Sequence, residues 1–227
     1  MKRMKLNKLQ LYSLSGVLGS LLMFTGDMLL YYEAVSGSEY NSVAVMGTMP
    51  VERLIAGGLL GPFASVFSII GTYICYLIFR SVNKILAKTL FVSFAILFVV
   101  AGSYHAVFAN YGFIGRLPES LQSQQLLLLR AYQEAINNAI LIFATIWTII
   151  LFYLVIFKKS LYPKWMLIFT PTLLILSGQF LKDYIPYPLG AVIYGGWINL
   201  CFMLFFIICF LHFSSKRIKP ALSDQEL

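Results

Sequence analysis

The chain has 227 residues, of which 59% are hydrophobic and only 11% are charged. With a mean hydropathy of +0.81, it cannot be an ordinary soluble domain, and its apolar runs leave no room for a separate soluble catalytic domain. The net charge of +8 would suggest a nucleic-acid partner in a soluble protein, but short basic segments between apolar runs set membrane topology and meet anionic headgroups instead. We therefore expect membrane lipids, and no nucleic acid, as partners.

Six apolar runs follow one another along the chain, and each approaches or exceeds the roughly 20 residues that cross a bilayer as a helix. This pattern predicts an all-α, polytopic membrane bundle of six transmembrane helices in a single domain over residues 1–213, followed by a cytoplasmic tail over 214–227. The predicted spans cover residues 11–32, 54–79, 87–110, 135–157, 166–181 and 189–213.

Basic residues divide the connections between these runs into two kinds. All but four of the 17 Lys and Arg residues lie before the first span, around the junction of the second and third, between the fourth and fifth, or after the sixth. The exceptions are Arg53, Arg116, Arg130 and Lys182. Because cytoplasmic loops carry the excess of Lys and Arg, the pattern predicts that both termini are cytoplasmic.

The connection between the third and fourth spans carries a helix of its own. Pro118, Glu119 and Ser120 are typical of a helix start, and leucines then alternate with polar residues up to Glu134. This segment could be an amphipathic helix on the outer leaflet or an extension of the fourth span. An unbroken helix from 118 to 157 would be about 60 Å long, so we expect a bend or break before the span.

Polar and ionisable residues occur in every span, and nearly all of them lie in its outer half. A charged side chain at the centre of a span costs about 2.5–3.5 kcal/mol, so such residues usually face the interior of the bundle and mark function. The candidates are Asp27, Glu52, Arg53, His105, Glu134, Asn137, Asn138, Gln179, Tyr194 and Asn199. Their common depth predicts a polar chamber that opens to the outer surface.

Helical spacing predicts that these groups face inward. One face of the first span carries Gly16, Ser20, Met23 and Asp27. A stripe of small residues below Arg53 in the second span comprises Gly57, Gly61, Ser65, Ser68 and Thr72. A polar stripe in the fourth span comprises Glu134, Asn138, Leu141, Thr145 and Thr148. Small stripes are where membrane helices approach one another, so we expect Arg53 to lie over a helix contact.

The predicted chemistry of the chamber follows from its titratable groups. His105 would shuttle a proton, because the reference pKa of histidine lies near neutrality, and Asp27 or Glu134 would orient or neutralise it. Arg53 would hold an anionic headgroup. The remaining polar candidates would contact the ligand; they are Glu52, Asn137, Asn138, Gln179, Tyr194 and Asn199.

Each of these residues also has a purely structural interpretation. Asp27 and Arg53 could form an ion pair that ties two helices together, with Glu134 completing a network, and asparagines often bond neighbouring helices within a membrane. The grouping of five such residues at one depth favours a functional chamber over independent helix contacts.

The sequence contains no motif for a metal or a cofactor. The two histidines, His105 and His212, lie on opposite sides of the predicted membrane, so a His-based zinc site is not expected. The chain has no nucleotide-binding motif and no nucleophile elbow. Cys75, Cys201 and Cys209 fall inside apolar spans, where we expect buried, reduced thiols.

The leading hypothesis is a membrane protein whose chamber binds a small amphiphilic or lipid-like ligand and acts on it by acid–base chemistry. One alternative is a small secondary transporter, which requires polar groups through the whole depth of the bundle. Another is a non-enzymatic scaffold or sensor, which would present the small stripe over 57–72 to a partner. The sequence pattern distinguishes neither an enzyme from a binding protein nor a monomer from an oligomer.

Two stretches resemble a bacterial six-span family classed as a domain of unknown function. They are Gly26-Asp27-Met28-Leu29-Leu30 at the end of the first span and residues 52–62 at the entry of the second. His105 and the stretch from Pro186 to Asn199 fit the same pattern, so the resemblance covers nearly the whole chain. It implies a multi-pass protein of the bacterial cytoplasmic membrane and brings no known activity. A looser likeness to small sterol-isomerase-type bundles fails on span count, so no reaction is transferred from them.

Overall fold

The computed structural model describes residues 6–32, 42–181, 184–186 and 188–214, which form helices joined by short connections and contain no strand. The helices are α1 (Lys8–Tyr31), α2 (Ser42–Thr48), α3 (Val51–Phe79), α4 (Lys84–Phe108), α5 (Asn110–Ile114), α6 (Glu119–Phe157), a 3-10 helix (Lys164–Phe169), α7 (Pro171–Leu181), α8 (Leu189–Gly195) and α9 (Trp197–Phe213). The predicted all-α class is confirmed.

Among the described residues, four segments are long and apolar enough to cross a membrane, and a bent pair brings the number to at most five. The four are Lys8–Leu30, Val51–Phe79, Lys84–Ile114 and Glu119–Phe157, and the pair is α8 with α9, bent by 72°. The sequence predicts six spans, and the difference lies at residues 166–181. Pro171 cannot donate a backbone hydrogen bond, and it separates the 3-10 helix from α7, whose 11 residues extend only about 16 Å.

Small residues allow α1, α3 and α4 to pack closely. A Cβ at Gly71 of α3 would lie 2.5 Å from the Gly16 Cα of α1. On the other side of α3, the Ser65 hydroxyl donates to the Phe98 carbonyl of α4 at 2.7 Å. All five members of the small stripe on α3 are buried. The face that the scaffold hypothesis offers to a partner is therefore occupied by α1 and α4 of the same chain.

The end of the bundle that carries the basic residues is held by several direct contacts. The Asn7 side chain donates to the Phe213 carbonyl at 2.8 Å, which joins the start of α1 to the end of α9. The Tyr162 ring lies 6.0 Å from the Phe79 ring at the end of α3. The same end carries Lys84 at the start of α4 and Lys164 at the start of the 3-10 helix.

The helix α6 runs unbroken for 39 residues, about 58 Å. The predicted break before the fourth span is wrong, because the sequence from 119 to 157 contains no glycine or proline that would interrupt a helix. The N-terminal part of α6 is anchored to α5, since the Tyr111 hydroxyl donates to the Gln133 Oε1 at 2.7 Å.

Most of the polar stripe predicted on α6 does not face the interior. Glu134, Asn138 and Thr145 are exposed, because α6 buries the neighbouring face that carries Trp147 and Leu151. The Trp147 ring stacks on Phe94 of α4 with the ring centroids 4.4 Å apart. The aromatic contact between α4 and α6 therefore decides the rotation of α6, and the polar stripe does not.

Gly71→Val is expected to destabilise the protein, because the added atoms would meet the facing backbone of Gly16. Overpacking of this kind typically costs about 1–3 kcal/mol. Thermal unfolding can be followed with a thiol-reactive dye, since all three cysteines are free and buried. We expect the unfolding midpoint to fall by several degrees. The control is Ala56→Val at an exposed position of α3, which should change stability by less than about 0.5 kcal/mol. Equal midpoints for the two variants would contradict the close contact between α1 and α3.

Candidate functional site

A cavity of about 530 Å³ lies among α1, α4, α6, α7, α8 and α9. This volume is within the range of sites that bind small molecules. Most of the wall is apolar, and its polar members are Asp27, Tyr104, His105, Asn137, Thr172, Tyr194 and Asn199. The cavity is therefore an apolar chamber with a minority of polar groups.

An aromatic floor closes the cavity on the side of the basic end. We use this name for Phe94, Phe98, Trp147 and Phe202, all of which line the cavity. Phe98 and Phe202 have ring centroids 5.0 Å apart, and Phe94 and Trp147 are stacked. Such offset and tilted aromatic contacts stabilise one another beyond their buried area. The floor therefore binds α4, α6 and α9 together below the cavity.

A polar cluster forms one wall, and it consists of Asp27 from α1, His105 from α4 and Asn199 from α9. The Asp27 Oδ1 lies 3.3 Å from the His105 Nδ1, and the Asn199 side-chain amide donates to the Asp27 Oδ2 at 2.6 Å. Asp27 and His105 are only 7% and 6% exposed. Buried ionisable groups persist when they are paired in this way.

Glycines make the space that the imidazole occupies. A Cβ at Gly26 of α1 would lie 2.5 Å from the His105 Nε2, and one at Gly61 of α3 would lie 2.6 Å from the His105 Cβ. Because both positions lack a side chain, the His105 Nε2 reaches the Gly57 carbonyl of α3 at 3.1 Å. His105 therefore contacts α1 and α3 at once.

The partners of His105 restrict its protons. A carbonyl oxygen only accepts hydrogen bonds, so the Nε2 that faces Gly57 carries a proton. The Nδ1 then faces the Asp27 Oδ1 at 3.3 Å.

The structure places Arg53 at the end of α1. Its Nε donates to the Leu29 carbonyl at 2.7 Å, and its Nη2 donates to the carbonyls of Met28 and Tyr32. These carbonyls end α1, where the last turn of a helix lacks intrahelical donors and favours a cation. The structure thus confirms that Arg53 lies over a helix contact, but it caps α1 and does not line the cavity.

The other predicted residues fall into two groups. Asn137 and Tyr194 line the cavity together with the polar cluster. Glu52, Glu134 and Asn138 are exposed and do not line it. The side chain of Gln179 lies outside the described part of the structure, as do residues 182 and 183.

Two polar contributors were missed by the sequence patterns. Tyr104 lies one residue before His105 on α4, and Thr172 lies in the first turn of α7. The Thr172 hydroxyl is 2.6 Å from the Thr148 hydroxyl of α6, so it also joins α6 to α7 beside the cavity. The position of Thr172 directly after Pro171 is the sequence feature that marks it as the start of a helix.

Within the described ranges, no group of three or more His, Cys, Asp or Glu side chains is placed to hold a metal ion. The fold and the cavity define a helical protein with several helices long and apolar enough to cross a membrane and with a largely apolar chamber of ligand size. Its sequence from residue 3 to residue 216 matches a family of unknown function, DUF6796, and the chain belongs to that family. Comparison with curated proteins and with solved structures finds no similar protein.

Arg53→Met should destabilise the protein whether or not lipid is added, because it removes three hydrogen bonds to the end of α1. Charged hydrogen bonds of this kind make the expected loss roughly 1.5–3 kcal/mol. Thermal unfolding in detergent gives the measurement, with Glu52→Gln at the exposed neighbouring position as the control. Unchanged stability together with weaker retention of anionic lipid would instead support the headgroup role predicted from the sequence.

A double-mutant cycle tests the contact between Asp27 and His105. Asp27→Asn and His105→Gln should each destabilise the protein, and the double variant should lose less than the sum, by about 0.5–3 kcal/mol. The control pair is Asp27→Asn with Glu52→Gln, whose effects should add within about 0.5 kcal/mol. Additive effects in both cycles would show that Asp27 and His105 are not paired.

Proposed function

We propose that this protein is an integral membrane protein that binds a small amphiphilic, lipid-like ligand in the cavity. The apolar part of the ligand would fill the chamber, and its polar end would meet Asp27 and Asn199. The observation that carries this proposal is a mostly apolar cavity of about 530 Å³ with a buried, paired acid on its wall. Small-molecule sites have this composition, with apolar walls and a few polar groups that fix orientation.

The rim of the cavity supports a ligand that arrives from the bilayer. Leu141 of α6, Leu176 of α7 and Ile198 of α9 all line the cavity, yet they are 55%, 57% and 55% exposed. In a membrane, exposed apolar side chains face hydrocarbon. A ligand dissolved in the bilayer would therefore meet an apolar entrance, whereas a water-soluble ligand would not.

We also propose six crossings, with both termini in the cytoplasm and the polar cluster in the outer half. The 3-10 helix and α7 together run antiparallel to α9, which supports counting them as one crossing. At one end the Trp165 ring lies 5.8 Å from the His212 ring, and nearer the other the Trp197 Nε1 donates to the Leu174 carbonyl at 3.2 Å. The excess of basic residues at the first of these ends supports the orientation, and the bacterial cytoplasmic membrane follows from the resemblance.

The geometry also bears on acid–base chemistry. Both ring nitrogens of His105 are engaged, one by Asp27 and one by the Gly57 carbonyl. The ring would have to release Gly57 before it could exchange a proton with a ligand. Asp27 lines the cavity and has oxygen lone pairs beyond those used by His105 and Asn199. We therefore assign the contact with the ligand to Asp27, with His105 as its neighbour on the other side.

Two observations favour binding over the alternatives. A transporter needs polar groups through the bundle, but the described residues that close the cavity toward the basic end are the aromatic floor. A scaffold that docks through the small stripe of α3 needs that stripe to be free, but its members are buried.

Ala144→Trp should prevent the protein from retaining an amphiphile, because residue 144 lines the cavity and an indole would fill it. Excluding several methylenes at about 0.8 kcal/mol each predicts at least a roughly tenfold loss of bound ligand. Native mass spectrometry of protein released from lipid nanodiscs measures the bound mass.

The matched control is Ala135→Trp on an exposed position of the same helix, which should retain the ligand. A cooperative thermal unfolding transition in each variant is the check that both variants are folded. Equal retention by the two variants, or no amphiphile bound to the wild-type protein, would contradict the proposal.

A further inference from the structure

We propose that the ligand is an uncharged lipid whose polar end is a hydroxyl group, of the class of a long-chain alcohol or an acylglycerol. This inference rests on the proposed function, because it names the ligand class of the same cavity. It excludes the anionic headgroup that the sequence assigned to Arg53. We base the inference on the charges, the hydrogen-bonding groups and the surroundings of the polar cluster.

The cavity wall carries an acid and a base that contact each other. Asp27 and His105 are the ionisable acid and base that line the cavity, and no Lys, Arg or Glu side chain lines it among the described residues. The Asp27 Oδ1 lies 3.3 Å from the His105 Nδ1, and the Asp27 Oδ2 accepts from Asn199, so the acid and the base of the wall are each other's partners. The wall therefore offers neither an unpaired cation nor an unpaired anion.

Arg53 does not line the cavity. It is the basic residue that the sequence places in the chamber, but its Nε and Nη2 donate to three carbonyls at the end of α1. It cannot turn toward the cavity without uncapping that helix. A carboxylate or phosphate head would thus enter a buried, apolar site without a counter-charge, which costs several kcal/mol.

Asp27 has hydrogen-bond acceptor positions beyond those that Asn199 and His105 occupy. A carboxylate can accept about four hydrogen bonds, and Asp27 accepts one from Asn199 and contacts His105 with its other oxygen. Asp27, which lines the cavity, therefore keeps open acceptor positions. A ligand occupies them by donating a hydrogen bond. A hydroxyl group donates without carrying a charge, and an ether or an ester does not donate at all.

The ligand probes for the experiment share one tail and differ only in the head. Full-length protein in lipid nanodiscs is photolabelled with a series of 16-carbon chains that carry a diazirine and end in a hydroxyl, a methyl ether, a carboxylate, a trimethylammonium or a monoacylglycerol. Saturable labelling of peptides from the cavity gives a relative affinity for each head. The hydroxyl probe represents a long-chain alcohol and the monoacylglycerol probe represents an acylglycerol, so the comparison of the two shows which source of the hydroxyl group the cavity prefers.

We expect the hydroxyl probe or the monoacylglycerol probe to bind at least about tenfold more tightly than the ether, the carboxylate and the ammonium, as a hydrogen bond to a charged acceptor predicts. Tighter or equal binding of a charged head would overturn the inference and leave the proposed function standing. Absence of saturable cavity labelling by all five probes would instead overturn the proposed function.

The variant Asp27→Asn gives an independent check. It removes the charge of the acceptor, so the advantage of the hydroxyl over the ether should fall to about threefold or less, since charge-assisted hydrogen bonds are about twice as strong as neutral ones. Glu52→Gln removes an exposed carboxylate outside the cavity and should keep the full advantage. A full advantage in Asp27→Asn would contradict the assignment. If that variant does not fold, the order of the five heads on the wild-type protein decides alone.

Discussion

The imidazole of His105 joins several helices at the end of the bundle opposite the basic one. It meets a carboxylate of α1 and a backbone carbonyl of α3, and the same carboxylate receives the Asn199 amide of α9. A buried ionisable group that loses its partner costs several kcal/mol. The four helices are therefore confined to positions that keep these contacts, and those positions also shape one wall of the cavity.

The rest of the bundle makes this arrangement possible. Glycines at 26 and 61 leave the space for the ring, and the small stripe of α3 brings α1 and α4 close enough for the contacts to form. Toward the basic end, the aromatic floor replaces polar contacts with ring packing. The bundle thus has a half that carries the polar cluster and an apolar half toward the basic end, and the cavity lies at their boundary.

The sequence predicts the helical class, the buried face of α1 and the position of Arg53 over a helix contact, because each follows from local spacing along one helix. It does not predict that Asp27 meets Asn199, since the two are 172 residues apart and no periodicity relates separate helices. The sequence also does not predict the rotation of α6. Either its polar stripe or its aromatic face could point into the bundle, and the packing of Trp147 against Phe94 selects the aromatic face. Pro171, in contrast, does mark the break in the fifth predicted span.

The measurement that tests this account most directly is a high-resolution density map of the protein prepared in lipid nanodiscs without added ligand. The account predicts elongated density in the cavity, with its polar end within hydrogen-bonding distance of the Asp27 carboxyl group and its tail passing between Leu141 and Leu176. A cavity filled by rearranged side chains, or density whose polar end lies away from Asp27, would contradict it.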